Sequence, residues 1–358
     1  MTVPGHARTY RLGPVSVRIG TDDVTLLELF ERDTEPFLVR ADDDGQSADV
    51  RVTAARQDRL VLPAGKPSQR LLHARDAPLY GSCWPAADGL IVHNPHYPGL
   101  YRISPARRTV DIRYAGEVFH AYIGLRLNLF PLLYRLSDRR GSLTIHASAA
   151  CGEDGALVFC GDKGAGKTSV MLTLVAASGY GLITNDYALV SSGSPDGPQV
   201  SGTPEPIRIG AGTFAAVGHA LARFASSEVF LGKRHLNLRE IRGHLPVTPT
   251  APVRALFFPE LAASGDIAVR PVTAAAAAGR LLAQCMERAG YQNPQLLNIG
   301  DALPAAVARQ RLAALAGAVP AFAVRVPHPA IGSPWLAATL EDAVTAAGAV
   351  PLPAGEPC

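Results

Sequence analysis

The stretch Ala156-Leu157-Val158-Phe159-Cys160, followed by Gly161-Asp162-Lys163-Gly164-Ala165-Gly166-Lys167-Thr168 and the run Ser169 to Ser178, decides how this chain is read. The central octet fits G-x-x-x-x-G-K-[ST], with a β-prone apolar run before it and a helical run after it. Each residue type has a physical reason to be there. Glycines let the backbone fold so that successive N–H groups converge on phosphate oxygens. A helix N-terminus adds partial positive charge. Lys167 supplies a compact cation for β- and γ-phosphates, and Thr168 a hydroxyl for Mg²⁺. The expected nucleotide-binding set is therefore Gly161, Asp162, Lys163, Gly164, Ala165, Gly166, Lys167, Thr168 and Ser169, with ATP and Mg²⁺ as cofactors. The chain has 4 Lys against 30 Arg, and two of the four sit in this octet. Arginine, a planar fork, does not replace a point-charge lysine in such a loop.

Working outward, Ser142–Ala150 and Ala156–Cys160 read as a hairpin. A four- or five-residue connection sets the pairing sum near 306 or 307, which places His146 opposite 160 or 161, beside the loop. The helix after the loop runs about 18 Å away, and the turn Gly179-Tyr180-Gly181 sends the chain back about 16 Å on a short strand. Asn185 and Asp186 return to the loop, on opposite faces if extended, so one of the two reaches the site. A carboxylate there can hold Mg²⁺ or take a proton from an attacking hydroxyl. A buried strand histidine and an ordinary turn aspartate remain the plain alternatives for His146 and Asp186.

The rest of the chain frames this segment. Residues 1–118 read as short alternating strands in a β-rich N-terminal domain. Residues 119–140 read as a connecting helix, 141–350 as the α/β domain carrying the loop, and 351–358 as a mobile tail. With 47% hydrophobic and 18% charged residues, wholesale disorder is excluded. The net charge of +3 gives no broad footprint for nucleic acid. No secretory leader or membrane span is expected, which points to the cytoplasm. Five scattered cysteines argue against a disulfide framework or zinc site. Weaker signals take ordinary readings: Gly232-Lys233-Arg234-His235 as a basic turn, Arg208 as a strand residue, His93 and His96 as parts of a proline turn, Cys160 as a small buried residue.

The ordered set IHASA, a short hairpin, ALVFCGDKGAGKTS, a helix, GLITNDYALV and GTPEPIRI resembles the HPr kinase/phosphorylase family, in particular HPr-kinase-like enzymes of peptide and natural-product biosynthesis. The likeness is clear over about 140–240 and loose beyond. It implies an α/β P-loop kinase domain of the kind shared with phosphoenolpyruvate carboxykinases. By that resemblance His146 is the histidine before the loop, and Asn185 and Asp186 stand at a pair of aspartates, Asp186 at the general acid/base. Catalytic His146, Lys167 and Asp186 and metal-binding Thr168 and Asp186 follow. The expected reaction is transfer of a γ-phosphoryl group to a serine-like hydroxyl on a small molecule or peptide, with no nucleic-acid or membrane partner and with a homo-oligomer left open. Three positions depart from the family pattern: Asn185 for aspartate, Ser169 for an acidic residue, and Lys163 for a small one. Loss of a carboxylate at Asn185 favours the competing reading, a nucleotide-dependent switch protein with little turnover.

Overall fold

The computed structural model describes all residues except 1–4, 42–47, 74–78, 96, 105, 194–196, 222–224, 231–232, 237, 286–302 and 349–358. His96, Gly232 and the tail 351–358, singled out from the sequence, lie outside the described residues. The chain is mixed α/β with large sheets and divides into two compact units. One takes in the described residues up to Thr144 with 303–305, the other those of 145–285 and from Ala306 onward.

The first unit is built on one nine-stranded sheet. Its elements are β1 (His6–Leu12), β2 (Val15–Thr21), α1 (Val24–Thr34), β3 (Val39–Ala41), β4 (Val50–Arg56), β5 (Ser68–His73), β6 (Leu79–Ala86), β7 (Gly89–Asn94), β8 (Gly99–Ser104), β9 (Thr109–Tyr114) and α2 (Val118–Arg139). The strand order is β3-β1-β2-β4-β9-β8-β7-β6-β5. Hairpins account for most neighbours, but β4 lies parallel to both β2 and β9. Asp23 starts α1 by accepting from the Thr25 amide at 3.0 Å, as an N-cap carboxylate should. The helix buries Leu26, Leu27 and Phe30. His93 lies on β7 opposite Ser82, on a strand and not in the turn expected for it.

Helix α2, read from the sequence as a connector, packs on α1, β8 and β9 within this unit. Its closest approach is at Gly124. A Cβ built there would fall 1.6 Å from the Tyr101 hydroxyl and 2.2 Å from the ring carbon that bears it. Tyr101 is fully buried. Only a glycine lets the helix backbone lie against that ring.

The second unit carries β10 (Ser142–Gly152), β11 (Gly155–Cys160), α3 (Lys167–Ser178), β12 (Gly181–Thr184), β13 (Tyr187–Ser191), β14 (Gln199–Ser201), β15 (Ile207–Gly210), α4 (Ala211–Leu221), β16 (Ala225–Phe230), β17 (Lys233–Leu236), α5 (Leu238–Ile241), β18 (Thr250–Ala262), β19 (Ala268–Pro271), α6 (Ala274–Ala283), α7 (Ala305–Ala318), β20 (Ala321–Pro327) and α8 (Pro334–Gly348). Its main sheet runs β11-β10-β13-β14-β18-β20-β19, with β12 on β10 and a further pairing of β11 with β18. The long β18 serves several neighbours. Its first residues pair antiparallel with β14, and its later ones pair parallel with β11 and β20. Phe159, Phe257 and Phe322 are directly paired across these three parallel strands. Their rings stack with centroids 5.7 and 5.2 Å apart, which pins the register of the three strands, and β18 and β20 run on past the end of β11. Residues Lys233 and Arg234, read as part of a basic turn, instead form β17, paired with β15. Helix α6 stops at Ala283, and Gln284 and Cys285 turn toward β10.

Replacing Gly124 by alanine is expected to destabilise the protein by about 1–3 kcal/mol, the usual cost of overpacking, even though alanine is the better helix former by about 1 kcal/mol. The urea midpoint for unfolding of the first unit checks this. An unchanged midpoint would show that α2 and Tyr101 can separate freely.

Candidate functional site

The site begins where β11 ends. The hairpin pairs Ala147 with Cys160 and Cys151 with Ala156, a constant sum of 307. His146 is thereby one residue beyond the last pair, level with Gly161. Both strands are buried along nearly their whole length, which explains their small and apolar composition without strict alternation.

The turn from β11 into α3 uses glycines where only glycine is comfortable. Gly164 and Gly166 have φ of +88° and +97°, in the left-handed region that side chains avoid. A Cβ on Gly166 would also meet the Leu261 side chain at 2.7 Å. The loop is drawn tight by Lys167. Its Nζ donates to the Gly161 carbonyl at 2.6 Å and the Asp162 carbonyl at 3.1 Å, and the residue is only 6% exposed. The Ala165 amide closes a turn onto the Asp162 carbonyl at 3.1 Å. Helix α3 then carries this end rigidly, since Val170 to Val175 are all buried. A glycine-bent loop at a helix N-terminus with a lysine ammonium folded over it is suited to an anion.

Strand β12 returns beside β10, with Leu182 opposite Ala150. The chain after it delivers Asp186 to His146: His146 Nε2 lies 3.0 Å from Asp186 Oδ1. Two main-chain bonds fix the approach. Ala147 N–H donates to the Asp186 carbonyl at 3.2 Å, and Ser148 Oγ donates to the Asn185 carbonyl at 2.7 Å. Asp186 therefore faces His146, while the neighbouring Asn185 is turned inward and 7% exposed. The buried Asn185 Oδ1 makes no hydrogen bond among the described residues. Opposite-facing neighbours were expected at this pair, and the structure brings Asp186 to the histidine.

Sequence reasoning missed Gln284. This residue is 4% exposed and sits just past α6. Its carbonyl accepts from His146 N–H at 2.8 Å. Its side-chain Nε2 donates to Asp162 Oδ1 at 2.9 Å, and its Oε1 lies 3.4 Å from His146 Nδ1. A polar chain Asp186–His146–Gln284–Asp162 thus joins the aspartate to the glycine loop. Because the amide donates to Asp162, the oxygen it shows to His146 calls for a proton on Nδ1. The other ring nitrogen, Nε2, makes the contact with Asp186. No motif marks Gln284. The only hint in the sequence is a polar residue on the tail of an alanine-rich helix.

Other expected site residues fall as follows. Lys163 is exposed and Thr168 half-buried at the loop. Ser169 is buried, and its hydroxyl shares a hydrogen bond with Thr213 at 2.6 Å. Arg208 lies on β15 opposite His235. Arg234 stacks over the Phe214 ring at 4.8 Å. Among the described residues, no cluster of three or more His, Cys, Asp or Glu has metal-binding geometry. Among them, too, no helix is long and apolar enough to cross a membrane.

Cys160 touches this site without chemistry of its own. Burial pushes its thiol up to about 12, with the Lys167 charge pulling down and Cys285 adding to the rise. At pH 8 its thiolate fraction is on the order of 10⁻⁴. In the native protein iodoacetamide at pH 8 is expected to leave Cys160 unmodified, and in urea to label it, as read by peptide mass spectrometry. Rapid native labelling would show that the loop opens to solvent.

No protein-family model matches the chain, and no curated protein matches it.

Proposed function

We propose that the second unit is an ATP-dependent kinase that transfers the γ-phosphoryl group to a hydroxyl. The observation that carries this reading is the joining of an anion-suited glycine loop to an aspartate–histidine pair through one buried amide. A loop alone would fit a nucleotide-binding switch. A loop tied to a carboxylate that faces the same end has what hydroxyl phosphorylation needs.

The roles follow from the chain's own atoms. The loop amides and the Lys167 ammonium hold the β- and γ-phosphates. To do so Lys167 exchanges its carbonyl partners at Gly161 and Asp162 for phosphate oxygens, so the loop is pre-shaped around its charge before nucleotide arrives. Asp186 takes the proton of the acceptor hydroxyl. The acceptor oxygen forms the new P–O bond as the bond between the β–γ bridging oxygen and the γ-phosphorus breaks, and ADP leaves with the bridging oxygen. His146 keeps Asp186 oriented. Catalysis of this type is mostly positioning and neutralisation of charge. Mg²⁺ suits the donor set, because it arrives on the triphosphate and usually keeps several waters, so it asks little of the protein. The Thr168 hydroxyl and the Asp186 carboxylate would hold it, and when bound it would neutralise phosphate charge. The architecture is read as a P-loop kinase domain of the HPr kinase and phosphoenolpyruvate carboxykinase type, and the acceptor as a serine-like alcohol on a small molecule or peptide, in keeping with the sequence resemblance.

One observation favours the second reading, a nucleotide-dependent switch with little turnover. Asn185 stands where a second carboxylate is expected and is buried as a neutral amide, which leaves Asp186 as the one carboxylate of that pair. ADP release with and without a candidate alcohol separates the two readings.

Lys167→Ala is expected to lose ATP binding measured by calorimetry in a protein with unchanged circular dichroism. Asp186→Asn is expected to keep ATP affinity and lose transfer by about 10²- to 10⁴-fold, the usual worth of a positioned base. Normal turnover by the Asp186→Asn protein would place the base elsewhere.

A further inference from the structure

A cavity of about 570 Å³ opens alongside the glycine loop, a size ordinary for a small-molecule site. Its origin lies in the strand register. Phe159, Phe257 and Phe322 stack on one face of the sheet, so the next residues, Cys160, Phe258 and Ala323, turn to the other face. Those three line the cavity together with Gly161 and Ala165 of the loop. Alanines at 268, 283 and 323 leave space where larger side chains would fill it. Above this apolar floor the same face becomes charged: Glu260, Arg270, Arg280 and Arg325 line the cavity too. Register puts Glu260 beside Arg325 on β18 and β20, and Arg270 beside Ala323 on β19 and β20. None of the three arginines makes an ion pair among the described residues. Arg280 instead lies over the Phe258 ring, 5.1 Å from its centroid.

The position of the cavity says which part of a substrate it can take. Strand β10, which bears His146, pairs with β11 on one edge, and β18 pairs with β11 on the other. The acceptor must meet Asp186 on the β10 side. The cavity lies on the β18 side, and Gln284, bonded to both His146 and Asp162, stands between. A donor whose γ-phosphate points at Asp186 must send its remaining atoms the other way.

We propose that this cavity binds the nucleoside of a nucleoside triphosphate donor, a proposal that rests on the kinase reading above. The guanidinium of Arg280, backed by Phe258, offers a flat cationic surface on which a base can stack. Glu260, on the arginine side of the lining, is the acceptor for ribose hydroxyls. Arg270 and Arg325 face the electron-rich edge of the base and add positive charge toward the phosphates. An inorganic phosphoryl donor would leave the whole cavity unused.

The test is calorimetry on the full chain with Mg²⁺, using ATP and inorganic tripolyphosphate as separate probes, on wild type, Arg280→Ala and Ala323→Phe. Arg280 is exposed, so its variant decides the matter if Ala323→Phe fails to fold. Both variants are expected to weaken ATP binding about tenfold or more, the order of one lost stacking contact, while tripolyphosphate binds each as it binds wild type. Unchanged ATP affinity in Arg280→Ala, with tripolyphosphate still bound, would overturn the nucleoside site and leave the phosphate loop standing. Retained ATP affinity with a raised KM for the acceptor would assign the cavity to the acceptor and equally overturn the proposal. Failure of wild type to bind either probe would remove the kinase reading itself, and the cavity proposal with it.

Discussion

The buried amide of Gln284 is the constraint on which the site depends. It receives the His146 main-chain N–H on its own carbonyl and spans from the His146 ring to the Asp162 carboxylate with its side chain. Through it the end of α6, the edge of β10 and the turn after β11 become one polar assembly in a largely apolar surround. A buried amide leaves little slack, because each unpaired donor or acceptor costs about 1–3 kcal/mol. Its orientation is therefore set by Asp162, and that orientation turns the amide oxygen toward the His146 ring. Asp186 is thus linked, through the His146 ring, to the glycine loop some twenty residues earlier in sequence.

Around that assembly the sheet supplies rigidity. Three stacked phenylalanines align the parallel strands β11, β18 and β20, and each strand ends near the loop. Ligands of open α/β sheets gather at such carboxyl ends, and here the loop and the arginine-lined cavity share that edge. The two sides of β11 then differ in character. The β10 side brings a histidine and an aspartate, while the β18 and β20 side brings three arginines and one glutamate.

Much of the loop region was legible in the sequence because its determinants are local. The octet, the helix Lys167–Ser178 and the hairpin register follow from glycine spacing, periodicity and connection length. The partnership of His146 with Asp186 was within reach of distance arguments, since both flank the loop within about twenty-five residues. Gln284 and the arginines of β19, α6 and β20 were not legible. They come from more than a hundred residues downstream and meet the loop only through the order β11, β18, β20, β19, which no local pattern encodes. The same limit hid the parallel pairings of β4 in the first unit: alternation tells which face of a strand is buried, not which strand lies beside it. Gly124 escaped notice for a similar reason, because its need for glycine comes from Tyr101 on a different strand.

The central claim is that the backbone of Gly161 to Thr168 grips the phosphates of a nucleotide. Amide ¹H–¹⁵N spectra of these residues, recorded as Mg²⁺ and ATP are added, test it most directly. The account predicts large downfield proton shifts at Gly164, Ala165, Gly166, Lys167 and Thr168, the mark of new hydrogen bonds to phosphate. Saturable ATP binding that leaves those amides unmoved would contradict it.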